Sequence, residues 1–213
     1  MKLKIPKLFS GSKQALRNAP VHEETQQIEQ PQPFDPNWPR YCPQQPFPPY
    51  RHVPGVTPHP IRDPRGHSYG LEEDNDEPVA LPNDWHQVED YLYGVDLYNF
   101  AYWWEAHEAW EGLWNKTEDD CRMFLQGLIQ ISAALIKCHM RMPRAIRNLS
   151  TAGRDKVRHV LHNLEDSTGM YMGIDLNEFL TCVDTFFEPF FSEPISDQTY
   201  SRITVEPLIR LYF

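Results

Sequence analysis

Sixteen of the twenty prolines fall in residues 1–82 and only four in the remaining 131. Proline removes a backbone donor and fixes φ, so the first part cannot be built from continuous helices or central strands. The chain therefore divides into a proline-rich N-terminal part and a folding unit over 81–213, which is long enough to bury a sizeable core. Charge divides in the same place. Residues 1–80 carry nine Lys/Arg against ten Asp/Glu, and residues 81–213 carry eleven against twenty, which is −9 of the total −10. An acidic domain repels phosphate backbones, and this weighs against nucleic acid as a partner. The opening stretch Met1–Ala19 has five basic residues and no acid, but it lacks the apolar run of a signal peptide. No segment reaches the roughly 18 uninterrupted apolar residues of a membrane span. Cys42, Cys121, Cys138 and Cys182 form no C-x-x-C pair, and they read as reduced thiols in a cytoplasmic protein.

Residues 1–46 hold Gln/Pro runs and few aliphatics, a composition expected to be mostly disordered. Residues 47–80 differ, because Tyr50, His59, His67 and Tyr69 alternate there with further prolines. Such a low-entropy extended strap can lie across a domain and present polar groups to it, with linker as the plainer alternative. The run Glu72–Glu77 ends it as an acidic spacer.

From Leu81 the spacing turns helical. Asn83 or Asp84 starts a short helix that Gly94 stops, and a second, aromatic helix follows from about Leu97 to Asn115. Thr117 caps a third, running to about His139, with acids in its first turn. Pro143 opens a fourth, and Asp175 caps a fifth to about Phe187. Apolar residues persist to Phe213, so the tail is expected to dock. The predicted fold class is all-α: a compact bundle of about five helices with an extended N-terminal arm.

Chemistry concentrates in Phe100–Trp114. At 100° per residue, with Glu105 at zero, Trp103, Trp104, Trp110 and Trp114 fall within about 140–260°. His107 and Glu111 fall inside that stripe, Glu108 lies on its rim and Glu105 points away. A carboxylate on a buried face must find a partner, take a proton or bind a cation. His107 and Glu111, at i and i+4, suit a divalent-metal pair, a catalytic dyad or a structural hydrogen bond. The two-histidine zinc signature H-E-x-x-H is absent, since Glu111 takes the place of its second histidine.

On the third helix Phe124, Leu128, Ile131 and Leu135 make the core stripe, with His139 beside it and Gln126 and Gln130 on the other side. The plain reading of the glutamines is a solvated face, and that of His139 a satisfied core histidine. On the fourth, Leu149, Val157, Val160 and Leu164 point inward, and a basic side remains to pair with acids elsewhere or to offer a weak anion site.

The run Glu105-Ala-His107-Glu108-Ala-Trp-Glu111-Gly-Leu-Trp114, followed by Gln126-Gly-Leu-Ile-Gln130, resembles the domain of unknown function family 309 over about residues 93–182. These are small helical proteins often labelled predicted metal-dependent hydrolases. The resemblance implies that the His-Glu helix packs on the Gln-containing helix. It draws attention to His107, Glu108, Glu111, Trp114, Gln126 and Gln130, with His139 near a further histidine of the family. Two functions follow as expectations. One is a hydrolase whose divalent metal sits on His107 and Glu111, with Glu108 as ligand or base. In it Trp104, Trp114, Gln126, Gln130, His139, His59 and His67 would line the pocket for a small-molecule ligand. The other is a non-catalytic helical module with a buried His107–Glu111 pair and a protein partner.

Overall fold

A computed structural model of the chain describes residues 29–71, 79, 81–165, 168–192, 195–201, 203 and 205–213. After a 3-10 turn at Trp85–Gln87, α1 spans Glu89–Asn99, α2 Trp103–Lys116, α3 Asp119–His139 and α4 Pro143–Asn163. A small antiparallel hairpin pairs β1 (Met170–Tyr171) with β2 (Ile174–Asp175). It leads into α5 (Leu176–Phe187), a 3-10 helix at Glu188–Phe191 and the short α6 (Asp197–Ser201). The fold is the expected all-α bundle, with one short helix beyond the five anticipated.

The first helix boundary differs from the sequence reading. Helix α1 runs straight through Gly94, and the break falls at Phe100–Tyr102. Gly94 serves packing instead of termination: a Cβ there would lie 2.2 Å from Nε1 of the fully buried Trp110. The break is a Schellman cap, in which the Tyr102 N–H donates to the Leu97 carbonyl at 2.8 Å and Ala101 adopts φ 63°. Helix α3 ends the same way, with Arg141 at φ 54° and the Met142 N–H on the Lys137 carbonyl. Glycine is the usual occupant of that left-handed position, so neither cap advertised itself. Thr117 closes α2, and Glu118 takes the N-cap of α3. Pro143 and Asp175 open their helices as read, the Asp175 carboxylate accepting the N–H groups of Asn177 and Glu178.

Helices α2 and α3 run antiparallel. The Ser132 hydroxyl donates to the Trp103 carbonyl at 2.6 Å, and eleven residues further along α2 Arg122 donates to the Trp114 carbonyl. The predicted α3 stripe, Phe124 to Leu135, is fully buried. Helix α3 is also long and apolar enough to cross a membrane, but 78% of that window is buried inside the bundle. It meets α4 at two glycines, where a Cβ on Gly127 or Gly153 would come within 3.1 or 2.9 Å of the other's carbonyl oxygen. Helix α4 buries Ile146, Ser150, Gly153, Val157 and Val160, whereas Leu149 and Leu164, read as inward, are only partly covered. Its basic side pairs across to α5: Arg154 and Arg158 reach Asp184 at 3.1 and 2.6 Å.

Residues 29–46, assigned by composition to a disordered arm, pack on the bundle. Asp96 of α1, wholly buried, accepts the N–H groups of Tyr41 and Cys42 at 2.7 and 2.9 Å and the Arg40 Nε at 3.1 Å. Phe34 sits against Trp103 and Phe186. Counting aliphatics missed this docking because it works through aromatic rings and backbone donors. Residues 1–28 and the acidic spacer lie outside the described residues. The tail docks as expected, with the buried Asn99 exchanging two 2.8 Å hydrogen bonds with the Ile209 backbone.

Candidate functional site

Helix α2 enters the core with its first turn covered on every side: Trp103, Trp104, Glu105, Ala106 and His107 are all buried. Helix α3 covers one face, and residues 50–67 cover the face that helical spacing assigned to solvent. Glu105, expected to point away, is therefore 6% exposed. Its Oε1 accepts the backbone N–H of His52 at 2.9 Å and lies 3.1 Å from Nε2 of His67. Its Oε2 is buried without a hydrogen-bond partner.

The strap brings aromatic groups as well. The His52 and His59 rings stand edge-on to the Trp104 indole at 5.0 and 5.4 Å, and His52 Nδ1 pairs with the Thr57 hydroxyl. Burial, reinforced by the neighbouring His59, pulls the His52 imidazole down to about 4. Burial also lowers His59, with Arg62 adding to the effect. Both rings thus favour the neutral form.

One turn along α2 stands the His107 group. The His107 ring is buried, with Nδ1 3.1 Å from Glu108 Oε1 and Nε2 3.9 Å from Glu111 Oε2. Glu111 was expected in the middle of the buried stripe, but its side chain is 35% exposed and Glu108's is 30% exposed. One ligand atom from each residue lies within 4.8 Å of the others. Imidazole nitrogen and carboxylate oxygen are suitable donors for a divalent ion. One ring offers one nitrogen to an ion, so binding requires a partly exposed carboxylate to turn toward it. The residues fit a divalent cation, with solvent-facing positions left open.

The other sequence-predicted residues distribute around this group. Trp104 and Trp114 are buried, and the Arg122 guanidinium lies 3.4 Å over the Trp114 ring. Gln126 and Gln130 on the antiparallel α3 are half-buried instead of solvated, and Gln130 Oε1 is shielded without a partner. His67 reaches Glu105, and Glu108 lines the same cavity of about 300 Å³ beneath the strap. His139 is not brought to the site: it bonds the Glu29 carbonyl and lines a separate cavity of about 480 Å³ with Trp103 and Tyr200. Sequence reasoning missed Glu105 and His52. The signal for them was a histidine-bearing strap able to lie across the domain.

Fold and site together define a helical-bundle protein with a His/Glu/Glu group able to hold a metal. Residues 91–149 match the family described as Domain of unknown function (DUF309), which shows the resemblance over that segment. The match runs from α1 into α4, shorter than the stretch anticipated from the motif, and it contains Glu105, His107, Glu108, Glu111, Gln126, Gln130 and His139 but not the strap. No match was found among curated proteins or solved structures.

Proposed function

We propose that the chain is a metal-dependent hydrolase in which His107, Glu108 and Glu111 hold a divalent cation. The observation that carries this reading is the convergence of one imidazole nitrogen and two carboxylate oxygens within 4.8 Å, buried on one side and open on the other. A cation held there supplies Lewis acidity toward a carbonyl or phosphoryl oxygen. The buried surroundings of His107 fix its ring, while Glu108 belongs both to the cluster and to the cavity wall. Glu108 is thus the group placed to take a proton from water at the cavity mouth. The proposal takes the protein as cytoplasmic and its substrate as a small molecule. The competing reading, a structural His107–Glu111 pair, is less favoured by a 3.9 Å separation and a partly exposed carboxylate.

The test is a screen of the metal-loaded chain against chromogenic esters, amides and phosphoesters. Turnover should vanish with chelator and return with metal. In Glu108→Gln it should fall about 100-fold or more, with the melting temperature unchanged. Absence of turnover with metal bound, or full turnover in Glu108→Gln, overturns the catalytic assignment.

A further inference from the structure

The cavity beneath the strap has walls of two kinds. Tyr93, Leu97 and Trp104 give it an apolar body, and Glu105 and Glu108, three residues apart on α2, give it two carboxylates on one helix face. Among the described residues neither lysine nor arginine lines it. Of the wall's other titratable groups, His67 is already engaged by Glu105 and the Ser68 hydroxyl, and the Tyr93 hydroxyl donates to the Pro46 carbonyl. The Glu105 side chain is 5% exposed, and its Oε2 has no hydrogen-bond partner. A buried carboxylate oxygen in that condition is destabilising until a donor reaches it. The volume suits a molecule of a few to about ten heavy atoms, at the small end of ligand pockets.

We propose that this cavity binds a primary amine with an apolar body. The ammonium group donates to the Glu105 and Glu108 carboxylates, and the hydrocarbon or ring lies on Trp104 and Leu97. An anion would meet two carboxylates and no fixed cation. A bare metal ion would leave the apolar wall unused. The site adjoins the His107 group through Glu108 but does not require a metal there.

The test uses the full chain in excess chelator, so metal binding has no part in the result. Three probes of matched shape are titrated by calorimetry: phenethylamine, the neutral 2-phenylethanol and the anionic phenylacetate. Phenethylamine should bind at least about tenfold more tightly than the alcohol, as a charge-assisted hydrogen bond requires, and phenylacetate should not bind. Glu108→Gln should erase most of that preference, and Ala109→Phe, which places a ring in the cavity from a partly exposed helix position, should abolish amine binding. Glu105→Gln alone is a weaker test because Glu105 also anchors the strap. Equal affinity for amine and alcohol, no binding of any probe, or unchanged amine affinity in Ala109→Phe overturns the proposal.

Discussion

Asp96 and Glu105 stand on successive helices, and each receives backbone N–H groups from the proline-rich segment: Tyr41 and Cys42 on Asp96, His52 on Glu105. Removing the buried Asp96 carboxylate takes the acceptor from the Tyr41 and Cys42 N–H groups and from Arg40 Nε, although Arg40 keeps its bonds to the Cys42 and Gln45 carbonyls. Asp96→Ala should therefore cost about 3 kcal/mol or more by chemical denaturation, with greatly increased amide exchange in residues 38–46. Arg158→Ala, which breaks a half-exposed pair with Asp184, should cost less than about 1 kcal/mol. Gly94→Ala should cost about 2 kcal/mol, because the added methyl meets the Trp110 indole and the core must shift. At this scale His107 and Glu108 were legible, since their identity and spacing on one aromatic helix suffice to mark them. Glu105 was not. A helical wheel divides one helix into faces, but it cannot register a strap that arrives from 53 residues away and turns the outer face into a second interior.

The strap is the element on which pH acts. His52 titrates near its ordinary value of 6.5 when unfolded and near 4 when docked, so the docked state binds fewer protons. Its contribution to docking is complete above pH 6.5 and is lost as pH falls toward 4. Amide protection across residues 50–67, taken relative to the intrinsic exchange rate at each pH, should fall on acidification through that window, and His52→Gln should flatten the dependence. Protection that stays constant through that window in the unsubstituted chain would show that His52 does not control docking. The helices were legible as elements because their apolar stripes and proline or aspartate starts are local signals. The end of α1 was not, because Ala101 adopts left-handed backbone where glycine usually signals the stop, whereas α3 ends at His139 as read.

For the molecule as a whole, the segment matched to the family carries the His/Glu/Glu group able to hold a metal, and the strap and tail wrap it from outside that segment. Asn99 ties the tail to α1 and Tyr98 adds a bond to the Pro207 carbonyl. Asn99→Ala should thus free residues 207–212 to exchange and lower stability by about 2 kcal/mol. The all-α class and the docking of the tail followed from patterning alone. A strap lying across the domain was also expected, but its contact with Glu105 and the docking of residues 29–46 were not, because the composition of a proline-rich segment measures its local order and not its contacts with buried carboxylates. The most direct test of the account is elemental analysis of the full-length protein after loading with zinc, manganese or iron, repeated on His107→Ala and Glu111→Gln. The account predicts stoichiometric divalent metal in the unsubstituted chain, none in His107→Ala and weakened retention in Glu111→Gln, with helical content unchanged in both. A folded chain without stoichiometric metal, or full retention in His107→Ala, would contradict it.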